Sequence, residues 1–206
     1  MRAPEPVTLS VGRVRLEPLA LAHAPELYAS CADPVVWRWL SAPVPTSVED
    51  VQAVVASALA DPTRLAWAVV VDGAAVGSTS YLDVDLELGG LEVGWTWYSP
   101  SVWASSVNPS CKLLLLGHAF DALDAERVTL KTDALNTRSR GALLRLGATY
   151  DGTLRHHRLR PDGSVRDTAF SSVLAAEWPA VRDALEERLR RQPSQPSAEP
   201  PGRVAT

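Results

Sequence analysis

The sequence has only two cysteines, Cys31 and Cys111, and neither stands in a CxxC or Cys/His spacing. That argues against a disulfide scaffold and a cysteine-based zinc site, and both are read as buried thiols. No run approaches the ~18 apolar residues of a membrane span, and the opening MRAPEPVTLS has no apolar signal core. The expectation is a cytoplasmic chain with no membrane partner. A basic excess is also missing: the formal net charge is −4, so no nucleic-acid partner is expected. No internal repeat is visible. What is present suits one domain with a real hydrophobic core, with 46% apolar and 21% charged residues over 206 positions. Residues 1–190 are read as that domain. Residues 191–206, rich in Pro, Ser and Ala, are read as a disordered tail too poor in apolar groups to pack.

Periodicity gives the order of elements. Val7 to Leu16 reads as a first strand, and Glu17-Pro18-Leu19 turns it into a helical stretch through Cys31. Pro34 opens a short helical segment holding Trp37 and Trp39. Thr46-Ser47-Val48-Glu49 is a capping-box pattern ahead of the apolar face Val51, Val54, Val55, Ala58 and Leu59. Ala66 to Val71, the Asp72-Gly73 turn and Ala74 to Asp83 read as a hairpin, and Gly89-Gly90 leads into a third strand. A helix from Pro109 to about Leu123, a strand from Arg127 to Lys131 and a helix from Thr137 to Leu146 closed by Gly147 follow. Then come Tyr150 to Leu159, the Pro161-Asp162-Gly163 turn, Val165 to Val173 and a last helix from Glu177 to Arg190. This order predicts an α+β, or mixed α/β, fold.

The stretch Leu91 to Phe120 organises the rest. Glu92, Gly94, Thr96 and Tyr98 alternate with Leu91, Val93, Trp95 and Trp97, the pattern of a strand with two distinct faces. Ser101 to Val107 is a loop of small residues, and Asn108-Pro109 reads as a helix start with Asn as N-cap and Pro at the first helical position. Such a loop gathers unpaired backbone N–H groups at the positive end of a helix dipole, which suits a phosphate. Ala104, Ser105 and Ser106 permit close approach, and the serine hydroxyls add donors. Lys112, one turn into the helix, can pair with a phosphate if it faces the ligand. The competing reading is a capped surface loop.

Glu92-Val93-Gly94 on a strand, then a loop into a helix, a short strand, Asn136-Thr137-Arg138-Ser139 and Leu146-Gly147-Ala148, with Asp151-Gly152 beyond, resembles the GNAT acyltransferase superfamily. The resemblance runs over about Val7 to Leu189, and within the superfamily it looks most like the branch of the ribosomal-protein N-terminal acetyltransferases. It implies a central, mostly antiparallel twisted sheet of about seven strands flanked by helices. It also implies acetyl-CoA or another acyl-CoA as co-substrate, with no metal. The acyl group would pass to a primary amine, of a protein N-terminus or a small molecule, by direct attack through a tetrahedral intermediate. On that reading Trp97, Tyr98, Trp103, Ala104, Ser105, Ser106, Val107, Asn108, Lys112, Asn136 and Ser139 meet the coenzyme. One departure stands out: the superfamily loop usually reads Gln/Arg-x-x-Gly-x-Gly/Ala, whereas Trp103 to Asn108 contains no glycine.

The implied chemistry has three needs: the amine loses a proton, the thioester oxygen meets a donor, and the departing thiolate is protonated. Glu92 is the candidate base, against a cross-strand ion pair as its alternative. A backbone N–H near Trp97 or Tyr98 is the candidate donor. The superfamily's usual acid is a tyrosine on the Asn-containing helix, which here has none. Ser139 is the matched polar residue and Tyr150 the alternative, itself competing with a role as a strand aromatic. Asn136 bridges coenzyme amides, caps its helix, or does both. Trp37, Trp39, Glu92 and His156 are the candidate acceptor contacts. His156 and His157 are neighbours on a strand, so at most one reaches a common cleft. Arg138, Arg140, Arg155 and Arg158 form a basic region at the proposed coenzyme end, open to phosphates, an acidic acceptor or solvent. Two other functions compete: a CoA-binding or interaction protein that has lost catalysis, and an aminoglycoside-type resistance acetyltransferase with Asp83, Asp85 and Glu87 lining an acidic cleft. A homodimer contact through the last helix and exposed aromatics is left open.

Overall fold

A computed structural model describes residues 1–160 and 162–191; of the expected tail only Arg191 is described, at the end of the last helix, and 192–206 lie outside the described residues. Eight strands are described: β1 (Leu9–Val11), β2 (Val14–Pro18), β3 (Leu65–Val71), β4 (Ala74–Asp85), β5 (Gly90–Tyr98), β6 (Arg127–Asp133), β7 (Thr149–Leu159) and β8 (Val165–Leu174). They form one sheet in the order β1-β2-β3-β4-β5-β6-β8-β7. The expected first strand is two strands, because Gly12 takes a φ of +56° and folds the segment into a hairpin. That raises the strand number from about seven to eight. Pairing of β2 with β3 runs through Pro18, which delays the first helix.

Five α-helices cover the two faces: α1 (Ala24–Cys31), α2 (Val48–Ala60), α3 (Val107–Gly117), α4 (Thr137–Leu146) and α5 (Trp178–Arg191). On one face α1 and α2 pack Leu27, Cys31, Val51 and Val55 against Ala66, Ala68 and Val70 of β3. On the other, α3, α4 and α5 pack Cys111, Leu115, Leu143 and Val181 over Leu91, Val93, Val128 and Leu130. Both cysteines are fully buried free thiols, as expected. The cap of α2 is Ser47, whose Oγ accepts from the Asp50 N–H, while Asp50 accepts from the Thr46 N–H at 2.7 Å. The capping box therefore sits one residue later than the sequence pattern suggested. Among the described residues no helix is long and apolar enough to cross a membrane.

Two irregularities in the sheet place the cleft. Adjacent strands are antiparallel except β5 and β6, which run parallel and pair only at Gly90↔Arg127, Leu91↔Val128 and Glu92↔Thr129. Both strands then continue unpaired with one another and splay into a wedge. The second irregularity is a bulge. Opposite Ser78 to Ser80 of β4, β5 spends an extra residue between Gly94 and Trp97, and Trp95 takes a φ of +49°. The simple alternation expected along β5 breaks there. Leu91 and Val93 face α3, yet beyond the bulge Tyr98 packs on that face and Trp97 turns to the α1/α2 side.

Candidate functional site

The wedge opens into a cleft of about 520 Å³ lined by β5, β6, the loop before α3, α4 and the β7–β8 hairpin. Because Leu91, Val93, Val128 and Leu130 lie under α3, the intervening Glu92, Thr129, Lys131 and Asp133 point to the opposite face, the one carrying α1 and α2. Glu92 sits at the vertex, where strand pairing ends, and is only 8% exposed. Lys131 Nζ lies 2.6 Å from Glu92 Oε2 and 2.7 Å from Asp83 Oδ2. Burial pushes the Glu92 carboxyl above its ordinary value, while the Lys131 ammonium pulls the other way without cancelling the rise. The ion pair that competed with a base role is thus present, and both descriptions apply to one carboxylate. Gly94 makes the room: a Cβ there would come within 2.5 Å of Glu92 Oε1.

The loop before α3 is built from its small residues. Trp103 Nε1 donates to the Tyr98 carbonyl at 2.9 Å, Ser105 Oγ donates to the Val102 carbonyl at 2.6 Å, and the Val107 N–H donates to Ser105 Oγ at 3.2 Å. The Ser105 hydroxyl is therefore a brace for the loop. Ala104 adopts a φ of +58°, a left-handed conformation that favours glycine. Among the described residues the amides of Ala104, Ser105, Ser106 and Asn108 have no hydrogen bond. The helix begins at Val107 with Ser106 as N-cap, so Asn108 lies inside the first turn and its Oδ1 accepts from the Tyr98 hydroxyl at 3.2 Å. It is not the N-cap that Asn108-Pro109 suggested, because Pro109 is accommodated one turn position further in, where a missing N–H is still harmless.

Lys112 lines the cleft with only 7% exposure. Burial brings its ammonium down to about 8, and neither a hydrogen bond nor an ion pair holds it among the described residues. Arg138 lays its guanidinium over the Trp103 ring, 3.6 Å from the centroid, linking α4 to the loop across the mouth. Asn136 Oδ1 accepts the Ser139 N–H at 3.1 Å and so caps α4, while both residues line the cleft.

Other expected residues are not brought here. Ser106 and Val107 fall outside the cleft lining, and Val107 is packed in the core. Trp37 is fully buried, its Nε1 donating to the Cys31 carbonyl and its ring tilted against that of Trp97, so only Trp39 of that pair reaches the cleft. Tyr150 stands 55% exposed on β7, its hydroxyl bonded to Thr153 at 2.7 Å, away from the cleft. A backbone kink removes His156: its φ is +51° and its N–H donates to Asp167, leaving the ring exposed outside the cleft. In exchange the fold delivers Lys131, Asp133, Arg166 and Thr168, and it sets Arg158 on the face of Glu92. Alternation along Arg127-Val128-Thr129-Leu130-Lys131 was the available signal for Lys131, since the apolar Val128 and Leu130 share one face of the strand and leave Lys131 on the other. Among the described residues no group of three or more His, Cys, Asp or Glu side chains is arranged to hold a metal.

Over residues 13–149 the chain matches the acetyltransferase (GNAT) domain model. A solved structure from T. thermophilus, assigned as an acetyltransferase, is 42% identical with a TM-score of 0.85, and the match covers 91% of this chain and 99% of that one. A GCN5-related N-acetyltransferase from Brucella melitensis is 28% identical with a TM-score of 0.86, covering 90% and 86% of the two chains. RimJ of Mycobacterium smegmatis, solved in complex with CoA-disulfide, is alike in fold, at 21% identity and a TM-score of 0.80 over 91% and 97%. No curated protein matches the sequence.

Proposed function

The chain belongs to the GNAT acetyltransferase family, and from that premise we propose that it moves an acyl group, acetyl by default, from coenzyme A to a primary amine. The observation that carries this reading is the seam. One buried carboxylate, Glu92, stands where β5 and β6 part, with a loop of free amides on the α3 side of the opening and a polar cleft on the other. The ribosomal-protein N-terminal acetyltransferase branch is the proposed placement within the family by fold, supported by the likeness in fold to RimJ; that placement does not fix the acceptor.

The residues present fit the coenzyme. Three unpaired amides of cleft-lining residues, at Ala104, Ser105 and Asn108, gather at the positive end of α3 and can receive a pyrophosphate. Ala104 already holds the backbone conformation that glycine would supply, so the glycine-free loop retains its shape. Lys112 and Arg138 add positive charge beside it. The coenzyme would supply a thioester carbonyl activated for attack by an amine through a tetrahedral intermediate. Glu92 takes the proton of the incoming ammonium, directly or through water, and its raised affinity for protons brings it closer to the basicity that this task needs. Lys131 fixes the carboxylate in place. Beyond Glu92 the edge of β5 that faces β6 has no strand partner, so its amides are free to donate to the developing oxyanion. Ser139, which lines the cleft, is our candidate to hydrogen-bond the departing sulfur, in preference to Tyr150, which lies outside the cleft lining.

The test is a titration with acetyl-CoA alongside thiol release across a panel of amines. Saturable binding with amine-dependent release supports the proposal. Binding with no turnover on any amine would favour a coenzyme-binding protein that has lost catalysis, and no binding would remove the central claim.

A further inference from the structure

Resting on the acyl-transfer reading above, we infer that the acceptor is a small amine that also carries a carboxylate, bound by Arg158 and Arg166. These two residues stand directly opposite one another in the β7–β8 register. Like charges so placed repel, yet neither guanidinium has an ion pair or hydrogen bond among the described residues, and Arg166 Nε is buried without a partner. Thr168, two residues along β8, is 0% exposed and its Oγ1 also lacks a partner. All three residues line the same cleft as Glu92.

Their orientation follows from the ladders. Thr168 is opposite Asp133 on β6, so it shares the sheet face of Asp133, Lys131 and Glu92, and alternation carries Arg166 and its partner Arg158 to that face. Each neighbouring carboxylate already has a cation in contact with it. Lys131 spans Glu92 and Asp83, and Asp133 is held by Arg160 through contacts of 2.7 and 3.1 Å. Two guanidiniums without an ion-pair contact, those of Arg158 and Arg166, and the buried hydroxyl of Thr168 remain. As a purely structural feature this arrangement is unfavourable, because buried donors without acceptors are costly. One carboxylate relieves it, since guanidinium forks and a hydroxyl are the donors that such a group accepts from. Its place beside Glu92 on one face puts amine and carboxylate within a single small molecule.

The test uses straight-chain amino acids from glycine to 6-aminohexanoate, each against its own carboxamide, with acetyl-CoA and thiol release. The same pairs are titrated calorimetrically into the protein without acyl-CoA. At one chain length kcat/KM for the acid should exceed that for the amide by about tenfold or more, with tighter binding by a similar factor. Both ratios should collapse toward one in Arg166→Gln and in Arg158→Gln. Each variant should melt at or above the wild-type temperature, since each removes one of two opposed like charges, and this separates lost recognition from lost fold. Acids and amides used and bound equally would overturn the inference and leave acyl transfer standing. A preference confined to succinyl-CoA over acetyl-CoA, or to peptides with acidic side chains, would overturn it too. If no amine released thiol, the acyl-transfer reading would fail first, and the calorimetric ratio would still decide for or against the carboxylate site.

Discussion

Gly94→Ala should disable the base while leaving the surrounding fold intact. A Cβ at that position would lie 2.5 Å from Glu92 Oε1 and 2.8 Å from Leu82 Cδ1, up to about an ångström inside the usual ~3.5 Å contact distance. Both are side-chain ends, so the strain falls on them and the backbone can stay. Leu82 is partly exposed and can turn aside. Glu92 has less freedom, because its other oxygen is held by Lys131 at 2.6 Å in a nearly buried position. Overpacking of this kind costs about 1–3 kcal/mol, and loosening a buried ion pair adds part of the roughly 3–5 kcal/mol that breaking one costs. The expected destabilisation is therefore about 2–4 kcal/mol. A double-mutant cycle isolates the cause: Gly94→Ala is measured by denaturant unfolding in the wild type and in a Glu92→Ala background. With the carboxylate removed the new methyl meets only Leu82, so the second cost should be smaller and the coupling about 1–3 kcal/mol. Thiol release by Gly94→Ala should fall toward that of a chain without the base. Costs that add to within about 0.5 kcal/mol would refute the reasoning, because the methyl would then be accommodated without moving Glu92.

Glu92→Gln should lower kcat/KM by about 10²–10⁴ with an unchanged or raised melting temperature. Because the folded carboxyl binds its proton more tightly than the unfolded value of 4.5, its ionisation subtracts stability as pH rises from 4.5 through the folded value. The acidic limb of the wild-type pH–rate profile should accordingly lie above the ordinary carboxylate range; a limb at the ordinary value would count against Glu92 as base. Lys112→Met should weaken CoA binding by about tenfold or more yet stabilise the free protein. An ammonium held at about 8 against 10.5 is destabilising by about 3 kcal/mol at pH 7. That penalty is full below pH 8 and fades between 8 and 10.5, so the stabilising effect of the variant should shrink on raising the pH to 10, which unfolding curves at the two values will check. Ala104→Gly should raise stability by up to about 1 kcal/mol, since relief of a left-handed alanine outweighs the added chain entropy; a lower melting temperature would argue against it.

Signals that are local in sequence were legible. Asn136 and Gly147 bracket α4 through a side-chain cap and a left-handed C-cap at φ +89°, both chosen by the residues themselves. The family likeness and the sheet followed from such elements in order. What escaped was decided between strands. The extra residue at Trp95 exists only relative to Ser78 to Ser80 of β4, so no pattern within β5 could announce that Trp97 and Tyr98 exchange faces. His156 and Tyr150 were misplaced by the same kind of irregularity, a register shift between β7 and β8. Lys131, Arg166 and Thr168 come from separate stretches of chain that meet at the cleft only through strand pairing. Asn108-Pro109 misled for a milder reason: proline is compatible with any of the first helical positions, so the motif fixed the helix but not its first residue.

Within the sheet, three rungs of parallel pairing join the five-stranded block β1–β5 to the three-stranded block of β6, β8 and β7, whereas seven rungs join β6 to β8. Such a sheet behaves as two plates meeting along a short edge, and hydrogen exchange should resolve them: amides at Leu91 and Thr129 should open at lower free energy than those in the middle of β3 or β8. The cleft lies on that edge and is lined from both plates. A molecule seated in it pins one plate to the other, so protection at the edge becomes a gauge of occupancy that needs no catalytic turnover to be read.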